Sequence, residues 1–341
     1  GGVNMPQILA IIPARSGSKS IKDKNIRLID GKPMIAYSIE HALKTPEIDR
    51  VIVSTDSKEY ANIAREYGAD VPFIRPAQYA TDDALDIDVF RHALWYLKEN
   101  EGYEPDIVVH LRPTYPIRNI EDISKTIHMM TEDTSLTAVR CIAPAKEIPY
   151  KMWHLMEDGK IRPLMTDIKE CYNMPRQQLP TVYYQNACID VIRADVITKE
   201  NSMTGDNIAG YVMEHNFDID TEEEFKKAEE YIKITSGNKT FVFDIDGVIA
   251  KIQKDLKYEI SEPNEKMIKI VNRLYDYGNR IVLFTARGYV SGIDYSEVTK
   301  KQMDRWGVKY HELKFGKPNA DYYIDDKMLD LNELYKMFED D

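Results

Sequence analysis

Apolar and polar positions along the chain follow two periods that alternate in order. ILAIIPA (8–14) is a short apolar run ending at a turn, which predicts a buried strand, and MIAYSIEHALKT after it has helical spacing. RVIVSTD then reads as a strand, EYANIAREYG as a helix closed by Gly68, and DIVVHLRPT as a strand. VFRHALWYLKEN is an amphipathic helix in which Trp95 and Tyr96 are expected to pack. MWHLMEDGKIRPL (152–164) reads as a hairpin turning at Asp158-Gly159. Strands interleaved with helices predict an α/β domain with a mostly parallel sheet. TEEEFKKAEEYIKI (221–234) is a helix with Thr221 as N-cap and acids in its first turn. After the turn-forming TSGNK (235–239) the alternation restarts, with TFVFDID as strand, EKMIKIVNRLYDYG as helix, and RIVLFTA and DYYIDD as strands. The pattern predicts a domain at 5–234, a linker at 235–238 and a smaller α/β domain at 239–341, with Trp306 in the second core. A length of 341 residues is also more than one core usually supports.

Composition narrows the class. No apolar run is long enough to cross a bilayer, the N-terminus lacks a signal pattern, and GGVN before Met5 reads as an expression scar. Cys141, Cys171 and Cys188 form no CxxC, so neither a zinc site nor a disulfide framework is expected, and a reducing cytoplasm fits best. The seven histidines show no HxH or HExxH spacing. A net charge of -12 argues against nucleic-acid or membrane partners; a small anionic substrate would need a local cluster of cations.

Such a cluster follows the first strand. IIPARSGSKSIKDKNI (11–26) combines a glycine, serines and four basic side chains. A loop at the carboxyl end of a strand can turn its N–H groups toward phosphate, with Lys and Arg neutralising charge. It matches neither GxGxxG nor the P-loop, and a basic surface loop remains the plainer reading. Together, IPARSGSKSIKDKNI, VIVSTD, RPAQYATDDA, LRPTYPIR, PRQQLP and DIDT resemble, in order, the motifs of the CMP-sialic acid synthetase family over about 8–233. That family of cytidylyltransferases includes enzymes activating Kdo, legionaminic and pseudaminic acids.

The resemblance implies a Rossmann-like nucleotidyltransferase domain that transfers CMP from CTP to an acidic keto-sugar and releases pyrophosphate. It implies that Arg15, Ser18, Lys19, Lys24 and Asn25 hold CTP, with Arg15 and Lys19 also catalytic, Arg75 at the nucleotide and Asp86 near the cytosine. For the acceptor it points to Lys151, Arg176, Gln185 and Asn186; taken alone, Arg176 would read as a surface salt bridge. In FDIDT (217–221), Asp218 and Asp220 lie two apart on a strand, so both face one side and can jointly hold Mg²⁺ or cap the next helix. LRPTYPIR departs from the family's usual LQPTSPLR: Arg112 and Tyr115 replace Gln and Ser, which suggests a more anionic or differently substituted acceptor. The 152–164 hairpin corresponds to the family's dimerisation arm, so a homodimer is expected, or a homotetramer through the second domain.

FVFDIDGVIA, LFTARG (283–288), GKP (316–318) and YYIDD (322–326) resemble the four motifs of the haloacid dehalogenase (HAD) phosphatases. The resemblance implies Asp244 as nucleophile, Asp246 as acid and base, and Thr285 and Lys317 on the phosphoryl oxygens, with Lys300 or Lys301 as weaker candidates for the lysine. Asp244, Asp246, Asp325 and Asp326 would hold Mg²⁺. The expected substrate is a phosphate monoester, plausibly a precursor of the same sugar, which would make the chain bifunctional. An oligomerisation module is the alternative for this domain, and a phosphonate or phosphorylated acceptor the alternative for the first.

Overall fold

The computed structural model describes residues 4–213, 218–253, 255 and 257–338. The chain divides into two compact units, Gly1–Ala228 and Glu229–Asp341, and the division falls inside a helix rather than at the expected linker.

The first unit is built on β1 (Ile8–Pro13), whose residues are almost all buried. Two short strands, β2 (Leu28–Ile29) and β3 (Lys32–Pro33), follow, then α1 (Met34–Lys44), β4 (Arg50–Ser54), α2 (Lys58–Glu66), α3 (Asp86–Glu101), β5 (Ile107–His110) and α4 (Ile120–Glu132). After these come β6 (Ala138–Pro144), the hairpin β7 (Trp153–Leu155) and β8 (Ile161–Pro163), β9 (Tyr183–Arg193), α5 (Ala194–Glu200) and β10 (Ile208–Val212). The main sheet has the order β10-β6-β9-β5-β1-β4. Within it only β9 runs antiparallel to its neighbours among the described residues. Alternation along β1 sorts the core. Ile8, Ala10 and Ile12 pack with Ile35, Ile39, Ala61 and Ile123 on one face, while Leu9 and Ile11 pack with Phe90, Leu94, Leu97 and Ile197 on the other. A strand buried on both faces needs helices above and below, and α1, α2 and α4 cover one face while α3 and α5 cover the other.

Helix α6 (Glu222–Thr235) leads to the second unit, whose strands β11 (Thr240–Phe243), β12 (Arg280–Thr285) and β13 (Glu312–Phe315) form a parallel sheet. Helices α7 (Glu265–Asp276), α8 (Ser296–Arg305) and α9 (Leu331–Met337) complete it, with Met267, Val271, Leu274, Met303 and Leu334 in its core. Trp306 packs against that core as the pattern predicts.

Two expectations are corrected. Trp95 is 58% exposed, because it lies outside the α3 stripe formed by Phe90, Leu94 and Leu97. The strand expected over DYYIDD is absent: Tyr322 and Ile324 are 85% and 98% exposed. Local contacts hold the segment as a loop, since the Tyr323 hydroxyl donates to the Pro318 carbonyl and the Lys317 ammonium lies 4.2 Å from the Tyr323 ring centroid.

In the second unit the fully buried Asn279 joins three chain segments. Its amide donates to the carbonyls of Ile234 (2.8 Å) and Leu274 (3.0 Å), and its carbonyl accepts from the Lys239 N–H (3.1 Å). Asn279→Ala leaves these groups without that partner, and the expected loss is about 2–4 kcal/mol in urea unfolding followed by a probe in this unit.

Candidate active site

The loop after β1 is anchored at Ser16 by a side-chain carboxylate. The Ser16 N–H and hydroxyl both donate to Asp56, at 2.8 and 2.7 Å, and Gly17 takes φ +78°, a left-handed turn that suits glycine. Arg15 and Lys19 converge on one carboxylate, Asp82, at 2.8 and 2.6 Å. The Lys19 hydrogen bond, with Arg15 beside it, holds the Asp82 pKa below the usual range. The two cations therefore can share one anion. Ser18 sits half-buried in the same loop. Asn25 is buried; its amide donates to the Arg15 carbonyl at 3.0 Å, which leaves its Oδ1 buried without a hydrogen-bond partner among the described residues.

Across the loop, Lys24 meets Asp220 at 3.3 Å. The strand expected at this motif is absent over 218–220, but Ile219 is buried with its N–H donating to the Thr114 carbonyl, and Asp218 and Asp220 lie close enough to interact. Phe217, the first residue of that motif, lies outside the described residues. Burial raises the Asp218 pKa; a hydrogen bond from Thr114 opposes this and the nearby Asp220 adds to it. Asp218 Oδ1 is buried and unpartnered among the described residues. Two hard oxygen donors that repel each other in this way are suited to a divalent cation.

The remaining predicted residues are placed as follows. Arg75 is buried, and among the described residues its guanidinium bonds within the protein: Nε and Nη2 donate to the Ser54 hydroxyl and carbonyl, and Nη1 to the Tyr79 carbonyl. Burial lowers its pKa to about 10. Asp86 opens α3 and lies 3.6 Å from Arg112. Lys151 donates to the carbonyls of Tyr172 and Met174, and Arg176 to those of Ala145 and Lys146. Among the described residues neither is paired with a carboxylate. Gln185 accepts from Arg140 at 3.1 Å, and the Asn186 carbonyl oxygen of its side chain accepts from the Cys188 N–H.

Arg112 corrects an expectation. Its guanidinium is bonded to the buried Asp190 at 2.8 Å, so its charge is matched within the protein and no longer argues for a more anionic acceptor. Asp190, His110 and Arg140 went unnoticed in the sequence, where no motif marks them. Strand register alone gathers them, because Asp190 of β9 is paired with His110 on β5 and with Arg140 on β6. Burial and three nearby arginines, Arg112, Arg140 and Arg118, push the His110 pKa well down, so it is neutral.

In the second unit Asp244 follows the end of β11 and is ion-paired with Lys317 at 2.8 Å, while Lys300 and Lys301 lie on α8. Both oxygens of Asp246 accept from the buried Arg287 at 2.9 Å, and Thr285 Oγ1 accepts from the Arg287 N–H. Asp325 caps its own turn through the Lys327 N–H, and Asp326 is exposed beside it. Among the described residues no group of three or more His, Cys, Asp or Glu is gathered as a metal site, so the structure does not bring the four expected carboxylates together.

The sequence profile of the family described as "Cytidylyltransferase" matches residues 9–241. The chain belongs to this family of cytidylyltransferases. Post-translational flagellin modification protein B of Campylobacter coli is 36% identical over 234 residues, covering 67% of this chain and 96% of the relative. The CMP-N,N'-diacetyllegionaminic acid synthase of Campylobacter jejuni is 34% identical, covering 67% of this chain and 97% of that one. The solved structure of a CMP:2-keto-3-deoxy-manno-octonic acid synthetase with CTP superposes with a TM-score of 0.52 at 17% identity, over 67% of this chain and 98% of that one, which shows a shared fold. No helix of this cytidylyltransferase, among the described residues, is long and apolar enough to cross a membrane.

Because the folded state raises the Asp218 pKa, the cost of ionising it is absent at low pH and appears as pH rises through the raised value. Asp218→Asn is therefore expected to raise Tm at pH 7 without added ligand, with a gain that shrinks toward pH 4. Thermal melts of both proteins across that range check it.

Proposed function

We propose that the first unit transfers CMP from CTP to an acidic keto-sugar of the nonulosonate type, releasing pyrophosphate. The observation that carries this is one loop after β1 whose Arg15 and Lys19 share Asp82 and whose Lys24 meets the Asp218–Asp220 pair, in a chain 34% identical to a legionaminic acid synthase. In the reaction a sugar hydroxyl attacks the α-phosphorus and gives up its proton to solvent, the bond to the bridging oxygen breaks, and pyrophosphate takes that electron pair. Arg15 and Lys19, exchanging Asp82 for phosphate oxygens, would neutralise the triphosphate. Asp218 and Asp220 would hold Mg²⁺, which when bound adds positive charge beside the phosphates. Asn25 presents a fixed acceptor because its amide is tied to the Arg15 carbonyl; such an oxygen suits the exocyclic amine of cytosine and repels the carbonyl of uracil. Lys151 and Arg176, cations without a carboxylate partner among the described residues, suit the sugar carboxylate.

The exposed apolar side chains of the β7–β8 hairpin, Leu155 and Ile161 among them, support a homodimer, and the buried free thiols fit a reducing cytoplasm.

For the second unit, the carboxylate of Asp244 at a strand end beside Lys317 supports phosphate-monoester hydrolysis through an aspartyl-phosphate, the ester oxygen leaving as the alcohol. Mg²⁺ does not fit here as the residues stand, because Asp244 and Asp246 are engaged by Lys317 and Arg287 while Asp325 and Asp326 stand apart. That engagement favours the second reading, an assembly module.

Pyrophosphate release from CTP with N,N'-diacetyllegionaminic, pseudaminic and N-acetylneuraminic acids tests the first unit; equal release from ATP or UTP would count against it. Asn25→Ala is expected to narrow the preference for CTP over UTP roughly 10–100-fold, the worth of one buried hydrogen bond. For the second unit, p-nitrophenyl phosphate hydrolysis that is lost in Asp244→Asn supports catalysis, and none in either protein supports assembly.

A further inference from the structure

The LRPTYPIR segment does not offer its polar side chains outward; it grips a bulge in β9. Arg140 of β6 is paired with Asp190, but Ile142, two residues on, is paired with Gln185, so β9 carries extra residues between 185 and 190. Within that bulge Ala187 takes φ +58°, a left-handed conformation that alanine does not favour. Three consecutive carbonyls of the bulge are claimed by three side chains of the one segment. The Tyr115 hydroxyl donates to Asn186, Arg112 Nη1 to Ala187 at 2.7 Å, and Arg118 Nε to Cys188 at 3.1 Å. Arg112 Nη1 also donates to Asp190 Oδ2, and Arg140 stands 3.5 Å from the same oxygen while holding the Gln185 side chain.

We propose that Arg112 is a positioning residue for the acceptor end: through Asp190 and the Ala187 carbonyl it fixes the bulge that aims Gln185 and Asn186. The inference rests on the cytidylyl-transfer reading for its effect on substrate, and on the geometry alone for its effect on the bulge. It makes Arg112's part in acceptor choice a matter of backbone shape in β9, set from a neighbouring loop, and not of its own cation meeting the sugar.

A paired-substitution experiment separates the two. Arg112→Gln removes the fork and leaves the Asp190 carboxylate short of a partner; Asp190→Asn in that background restores a neutral hydrogen-bonded pair. With N,N'-diacetyllegionaminic acid as probe, Arg112→Gln is expected to raise the acceptor KM at least tenfold with the CTP KM within twofold. The Arg112→Gln/Asp190→Asn chain is expected to recover most of that loss. A double variant as weak as Arg112→Gln means that Arg112 touches the acceptor, and the proposal falls. Arg112→Lys, which keeps the charge and loses the fork, gives a second arm: an unchanged acceptor KM overturns the proposal. Amide hydrogen exchange at 185–188 needs no substrate. It is expected to quicken at least tenfold in Arg112→Gln and slow again in the double variant, and unchanged exchange in Arg112→Gln overturns the clamp even if no tested sugar is turned over. Absence of pyrophosphate release from the parent protein with every sugar would overturn the activity reading instead.

Discussion

The parallel pairing of β1 between β4 and β5 is the constraint on which the first unit depends. Buried on both faces, the three strands must end at one edge, and every loop that leaves that edge faces the same space. The loop after β1 brings Arg15, Lys19 and Lys24, the segment after β4 brings Asp56, and the segment after β5 brings Arg112 and Thr114. A binding edge follows from the sheet before any individual contact is considered.

Charge at that edge is already balanced by the protein's own groups. Asp82 stands between Arg15 and Lys19, Asp220 beside Lys24, and Asp190 beneath Arg112. The pairings differ in kind. Asp82 and Asp220 are exposed enough to give way to a ligand, whereas Asp190 is fully buried and stays with Arg112. Removing one partner of such a buried pair is costly because the other is left unmatched. Exposed pairs in water are worth little and exchange readily. The first set therefore suits binding and the second suits holding a shape.

The second unit places its acids at and just after the end of a parallel strand, in company of their own. Lys317 and Arg287 occupy the carboxylates of Asp244 and Asp246, and the loop carrying Asp325 and Asp326 is held by Tyr323, Pro318 and Lys317. The four acids expected together there are not gathered at one point, because the segment at 321–326 lacks the strand that would carry Asp325 and Asp326 there.

Local information carried much of the design. The apolar runs of β1, β4 and β5 and the alternation of strand and helix were legible because both periods are local properties of the chain. The basic loop at 11–26 and the Asp218–Asp220 pair stood out as local groupings, but the partners that the structure gives them, Asp56, Asp82 and Thr114 and the pairing of Lys24 with Asp220, lie far along the chain. Trp95, whose helix face the pattern left open, was not legible, and neither was the fate of DYYIDD. Tertiary structure alone decided that Arg75 is a clamp, that Arg112 is neutralised, and that His110, Asp190 and Arg140 form one rung. Those facts depend on which strands lie side by side and in what register, and residues eighty positions apart announce nothing of that in their own neighbourhoods.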